Sequence, residues 1–167
     1  MIKHFIAGCF ILLVCACGAS RKEVVQSMKD NDLVQEKTVN DYVFRLQYMP
    51  SVQGAGDDTS LAYFRLNVSN SGGVPMKGTG DLSYSYGLDT LFSLVNAADT
   101  ISAVDITRIA NGTVNGVEYM LVFDRAKVYA EPDCKLLFRD WLFTHQFISF
   151  PLKGSAIAHI DSLSQKI

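Results

Sequence analysis

The chain has 167 residues, a formal net charge of −2 and 49% hydrophobic residues. That length builds one ordinary domain with its own core, so folding requires neither disulfides nor metal. The 15 Lys and Arg, set against 17 Asp and Glu, form no basic face, which argues against nucleic acid as a partner.

The first element is an export signal. Lys3 and His4 precede an uncharged, almost wholly apolar run over residues 5–16. This run is shorter than the roughly 20 residues of a permanent membrane span, and it has the size and flanks of a secretory h-region. It ends in Val14-Cys15-Ala16-Cys17, which resembles the lipobox of bacterial lipoproteins. The resemblance implies a signal peptide over residues 1–16 and a lipid on the Cys17 sulfur, which becomes the mature N-terminus and the anchor. Cys15 competes for that role, but Val14 before it is bulky where the motif takes a small residue. An ordinary signal cut after Ala16 or Ala19 is the alternative. With Cys9 and Cys15 removed and Cys17 lipidated, only Cys134 remains, so no internal disulfide can form. Its strand-like surroundings, Cys134-Lys135-Leu136-Leu137-Phe138, mark a buried structural thiol.

Residues 18–37 are polar, and Val24, Val25, Met28 and Leu33 supply at most a marginal helical turn or two. The expectation is a flexible tether over residues 17–37, with an r.m.s. reach of roughly 25 Å. The domain proper is expected over residues 38–167. Residues 42–48 alternate, with Tyr42, Phe44, Leu46 and Tyr48 on one face and Arg45 and Gln47 on the other. Residues 61–68 repeat the pattern through Ala62, Phe64, Leu66 and Val68. Residues 117–123 are apolar on nearly both faces and belong inside a sheet. Weaker strands are expected over 102–109, 134–139 and 146–152. Asn111-Gly112 and Asn115-Gly116 are hairpin turn pairs. Leu88, Leu91, Phe92 and Val95 fall at helical spacing and predict one short amphipathic helix. The tail over 157–163 fits an edge strand or a last turn equally well. Together these elements predict an all-β fold, an antiparallel immunoglobulin-like β-sandwich with one short helix. Phe44, Leu46, Phe64, Leu66, Leu121 and Phe123 are expected in one core.

No pattern of catalytic chemistry stands out, so no enzyme activity, metal or cofactor is expected. There is no nucleophile elbow, and the domain holds only His145 and His159. Cys134, His145 and His159 have zinc-ligand chemistry at a spacing that matches no close-set motif. Asp57-Asp58 with Thr59 and Ser60 reads as a solvated turn before it reads as a calcium loop. Gly54-x-Gly56 and Gly78-x-Gly80 lack the strand–turn–helix frame of a phosphate cradle. Asp133 and Asp140 flank a strand without a cleft. Trp141 and Phe143 are the candidate contact residues for a glycan or a partner, with packing in the core as the competing reading.

Asp89-Thr90-Leu91, Asp99-Thr100-Ile101 and Asp161-Ser162-Leu163 resemble the O-glycan acceptor of exported Bacteroidetes proteins. Thr90, Thr100 and Ser162 are the implied sites, against a background in which Asp and Thr are ordinary turn and cap residues. With the lipobox and the strand patterns Phe44-x-Leu46-x-Tyr48-x-Pro50, Tyr63-Phe64-x-Leu66 and Tyr119-x-Leu121-Val122-Phe123, the chain resembles small functionally unassigned lipoproteins of the Bacteroidetes. That resemblance implies a bilayer anchor and an envelope location, and it carries no active site. Gly18-Ala19-Ser20 places no aspartate beside Cys17, and Arg21-Lys22 departs from the acidic surface-export tag. An outer-membrane protein facing the periplasm is therefore expected, with the cell surface as the other placement. The functional expectation is a non-enzymatic accessory that binds an envelope protein, similar in architecture alone to lipoproteins anchoring type VI secretion complexes. A glycan or small-ligand binder is the alternative.

Overall fold

The computed structural model describes residues 20–51, 58–73, 86–96, 99–112, 114–130 and 132–167. In chain order the elements are α1 (Arg21–Asp30), β1 (Val34–Val39), β2 (Tyr42–Met49), β3 (Leu61–Asn70), a 3-10 turn (Leu88–Thr90), β4 (Phe92–Val95), β5 (Thr100–Ser102), β6 (Asp105–Ile109), β7 (Gly116–Asp124), α2 (Arg125–Ala130), β8 (Cys134–Asp140), β9 (Gln146–Leu152) and α3 (Gly154–Ser164).

The strands form two antiparallel sheets, β1-β2-β3-β7-β6 and β5-β4-β8-β9. Alternation is what brings them together. Phe44, Leu46 and Tyr48 of β2 are buried around an exposed Arg45, and β3 buries Ala62, Phe64, Leu66 and Val68 in the same way. β7 buries Val117, Tyr119, Leu121 and Phe123, and Val122 on its other face is also buried, as expected of a strand with neighbours on both sides. Aromatic contacts bridge the sheets, with Phe44 against Phe138 at 6.1 Å and Phe92 against Tyr119 at 5.8 Å. Phe92 and Phe138 stack at 4.4 Å within the smaller sheet. The six residues expected in one core are all buried in a single cluster. Burying rings of this size stabilises the fold by about 1.5–3 kcal/mol each.

Antiparallel pairing sorts the connections into two poles. The turns at Asn40-Asp41, Ser71-Gly72 and Asn111-Gly112, and residues 141–145, lie at one pole. Ser71 N–H donates to Asp41 O at 2.8 Å and Asn70 N–H donates to Asn115 O at 3.1 Å, tying these turns together. Gly112 takes φ +70°, a left-handed turn position that glycine occupies without strain. At the other pole α3 packs against both α1 and α2. Along one flank β1 meets β9, where Gln35 Nε2 donates to Pro151 O at 2.6 Å and Lys37 Nζ lies 5.6 Å from the Phe150 ring centre. On the other flank Ala103-Val104 carries the chain from the edge of the small sheet to the edge of the large one.

Several expectations require correction. The expected tether folds from Ser20 onward, as α1 and β1. Val24 and Met28 stand four residues apart on one side of α1 and are buried with Leu33 in the core. Ser20 and Glu23 form a capping box that starts the helix. A helix this short is marginal alone and draws its stability from docking, which a local pattern does not reveal. The helix expected over 88–95 is a 3-10 turn followed by β4, because Phe92 and Leu94 pair into the small sheet between β8 and β5. The strand expected over 102–109 is two strands in different sheets. The tail is helical as α3, and α2 follows β7 directly, so three helices cap one pole where one helix was expected.

Candidate functional site

The β8–β9 hairpin reverses through residues 141–145 around a buried acid. Asp140 has no exposed surface, and its carboxylate accepts four hydrogen bonds. Oδ1 receives Leu142 N–H at 3.1 Å and Phe143 N–H at 2.9 Å, while Oδ2 receives Thr144 N–H at 2.7 Å and Thr144 Oγ1 at 2.6 Å. His145 closes the turn at φ +56°. Side chains on this turn are therefore held by backbone that a single carboxylate organises.

The turn separates Trp141 from Phe143. Phe143 points inward, 5.6 Å from Tyr42 and 6.3 Å from Phe44, and completes the core at this pole. Trp141 remains 50% exposed and is joined by Phe147, 63% exposed, at 5.7 Å in edge-to-face geometry. His145 lies 6.4 Å from the Trp141 ring. Trp141 is thus exposed while Phe143 packs partly buried against the core, and the exposed aromatic beside Trp141 is Phe147. The missed signal was parity: Phe147 is one residue out of phase with buried Ile148 and Phe150, so it stands on the outer face of β9.

A second polar cluster lies at the helical pole. Arg125 Nη1 meets Asp161 Oδ2 at 2.5 Å, and Tyr48 OH donates to Oδ1 and Oδ2 at 2.7 and 2.8 Å. Tyr129 OH also donates to Asp161 Oδ2. Arg125 donates further to Leu61 O, through Nε at 3.0 Å and Nη2 at 2.6 Å, and to Ser51 Oγ. Burial, followed by the Asp161 carboxylate, holds the Tyr48 phenol far above its ordinary range. The Tyr129 phenol is raised for the same reasons. Burial opposes the charge on Arg125, but Tyr48, Tyr129 and Asp161 outweigh it and raise its pKa. Charge and hydrogen bonds balance inside this group, which clamps α2 and α3 onto β2 and β3.

On the outer face of the large sheet, Arg45, Gln47, Arg65, Asn67 and Glu118 line a shallow depression of about 250 Å³. Arg65 spans it, with Nη1 3.6 Å from Glu118 Oε1 and Nη2 donating to Gln47 Oε1 at 3.1 Å.

The remaining candidates are scattered. Cys134 is buried at the helical end of β8, whereas His145 sits beyond its other end, so the two cannot share a zinc ion. Among the described residues no three His, Cys, Asp or Glu side chains are grouped to hold a metal. His159 is exposed on α3. Asp133 and Asp140 lie at opposite ends of β8. Asp58 accepts Ser60 N–H at 2.9 Å and Ser60 Oγ at 2.7 Å, and these bonds lower its pKa. Thr90, Thr100 and Ser162 are all exposed, but the Asp161 of the third triplet is buried in the Arg125 cluster. Cys17, Gly54, Gly56, Asp57, Gly78 and Gly80 lie outside the described residues, as does the signal segment 1–16. Among the described residues no helix is long and apolar enough to cross a membrane. No protein-family model, curated protein or solved structure matches the chain.

Proposed function

We propose that this chain is a bacterial envelope lipoprotein whose domain is a non-enzymatic accessory binding a protein partner at its turn pole. Residues 1–16 serve as the signal, and lipid on Cys17 anchors the domain to a membrane, the periplasmic face of the outer membrane by preference. The single observation that carries the binding role is the Trp141–Phe147 pair, half-exposed or more where the turn locked by Asp140 leads into β9. Rigid exposed aromatics that lose little entropy on contact are the usual energetic centres of protein interfaces. The pair stands at the pole opposite α1, about 25 Å away along the strands of the large sheet, so a partner meets it on the side away from the anchor. The sandwich is immunoglobulin-like in the sense that clustered turns at one end carry the contact residues. O-glycans, if added, belong on Thr90 and Thr100, whose triplet acids are on the surface.

A photo-crosslinking residue at Phe147 tests the contact in the native envelope, with the same residue at Ser155 on the helical pole as control. Adducts specific to position 147 that disappear in Trp141→Ser support the reading. The same adducts from both positions overturn it. Retention on an envelope polysaccharide that requires Trp141, without any protein adduct, favours the glycan binder instead. Fatty-acid labelling tests the anchor: Cys17→Ala is expected to abolish it, and label surviving in Cys17→Ala but lost in Cys15→Ala moves the lipid to Cys15. The double variant His145→Ala, His159→Ala is expected to complement a deletion strain. Failure of the folded double variant, where Trp141→Ala succeeds, replaces the accessory role with a catalytic or metal one.

A further inference from the structure

α1 presents two outward faces of opposite charge. At about 100° per residue, Arg21, Val25, Lys29 and Lys22 fall within an arc of about 100° beside the buried Val24 and Met28. Glu23 and Asp30 fall on the far side. Both acids are engaged within the helix: Glu23 Oε2 accepts Ser20 N–H at 2.6 Å, and Asp30 Oδ1 accepts from Gln26 Nε2 at 2.8 Å. The Arg21, Lys22 and Lys29 side chains form no hydrogen bond or ion pair with another described residue. Val25, among them, is 51% exposed. Elsewhere at this pole Lys127 and Lys153 are mixed with Asp124 and Asp133, so the uniform cationic stripe is a property of α1.

We infer that this face of α1 rests on an anionic lipid surface, orienting the domain on its membrane. The inference builds on the proposed lipid at Cys17. Three residues lead from Cys17 to Ser20, a reach of about 10 Å when extended. The capping box then fixes where the helix begins, so a lipidated Cys17 delivers α1 to the headgroups in place of a domain on a long leash. Three cations around one apolar side chain complement acidic headgroups and together strengthen surface binding on the order of a hundredfold. The same geometry turns Trp141 and Phe147 away from the bilayer.

The full-length protein, processed in its own host and purified, tests this. Intact mass reports whether Cys17 carries lipid before any vesicle is added; absence of lipid removes the anchor and overturns the inference at that first step. Nitroxide labels at Val25→Cys and, separately, Phe147→Cys are then compared on vesicles of phosphatidylcholine with and without 30% phosphatidylglycerol. Cys134 is buried and takes no label. On anionic vesicles the label at position 25 is expected to lose contact with an aqueous nickel chelate several-fold, while the label at 147 keeps it. Arg21→Glu, Lys22→Glu, Lys29→Gln is expected to restore contact at 25; the first two changes favour the helix N-terminus, so folding is preserved. A lipidated protein whose position 25 is equally accessible on both vesicles, or is shielded regardless of the three charges, overturns the inference and leaves the lipid anchor standing.

Discussion

Asp140 and Asp161 are both buried carboxylates, yet they organise different things. Asp140 satisfies three backbone N–H groups of one turn, so Asp140→Ala strands donors that the fold had paired. A loss of about 2–3 kcal/mol is expected in urea melts, together with loss of the crosslink at position 147. A variant with wild-type stability and wild-type crosslinks shows that the turn holds its shape without the acid. Asp161 instead gathers Arg125 and Tyr129 from α2 and Tyr48 from β2. The Tyr48 phenol is raised above its ordinary value of 10.0, so the folded state holds a proton that the unfolded chain releases. Its contribution is fully present below pH about 10 and is lost as the pH rises toward the folded value. Tyrosinate absorbance is expected to show Tyr48 ionising only as the chain unfolds. Tyr48→Phe is expected to flatten the alkaline loss of stability; an unchanged alkaline limb disproves the linkage.

At the scale of elements, α1 tests whether residues 20–33 belong to the domain. Met28 is 3% exposed and packs with Val24 and Leu33 in the main core. Met28→Ala is expected to cost about 2–5 kcal/mol. Amides of the last turn of α1 are expected to exchange with the slow core, since the helix cannot persist undocked. Free exchange there, with Met28→Ala neutral, returns the segment to the status of a tether. The 3-10 turn and β4 carry the opposite lesson. Leu88, Leu91, Phe92 and Val95 satisfy a helical spacing, but the pairing partners on β8 and β5 are already extended and claim residues 92–95 for the sheet. Propensity over so short a window is outweighed by a ladder with a partner on each side.

For the whole molecule, both sheets and all three helices contribute to one buried cluster, so unfolding is expected in a single transition. Phe44 touches Tyr42, Phe138 and Phe143 and thus joins the two sheets at the turn pole. Truncating Phe44 or Phe123 to Ala is expected to cost about 3–5 kcal/mol of a total of about 5–15. Urea melts followed by far-UV dichroism and by tyrosine fluorescence are expected to coincide. A loss below about 1 kcal/mol at both sites places the wrong face inward, and separated transitions divide the sheets into independent units.

The sequence by itself determined the strands with strict alternation. In β2 and β3 every fully buried side chain is apolar or aromatic and alternates with positions that are not fully buried, a two-residue period written in the local sequence; β8 keeps the period with one buried acid, Asp140. The sequence also marked Trp141 as a residue to locate. Tertiary structure decided whatever depended on a distant partner. α1 is a helix because α3 and the core accept Val24 and Met28, and β4 is a strand because β8 and β5 pair with it. Phe143 is core and Phe147 is surface because the Asp140 turn sets where β9 resumes its alternation. Asp161 and Arg125, 36 residues apart, meet because two helices fold onto the same end of the sheet. Local periodicity encodes which face of a strand is apolar; which elements cover it, and which polar groups they bring together, depends on contacts that no window of the chain contains.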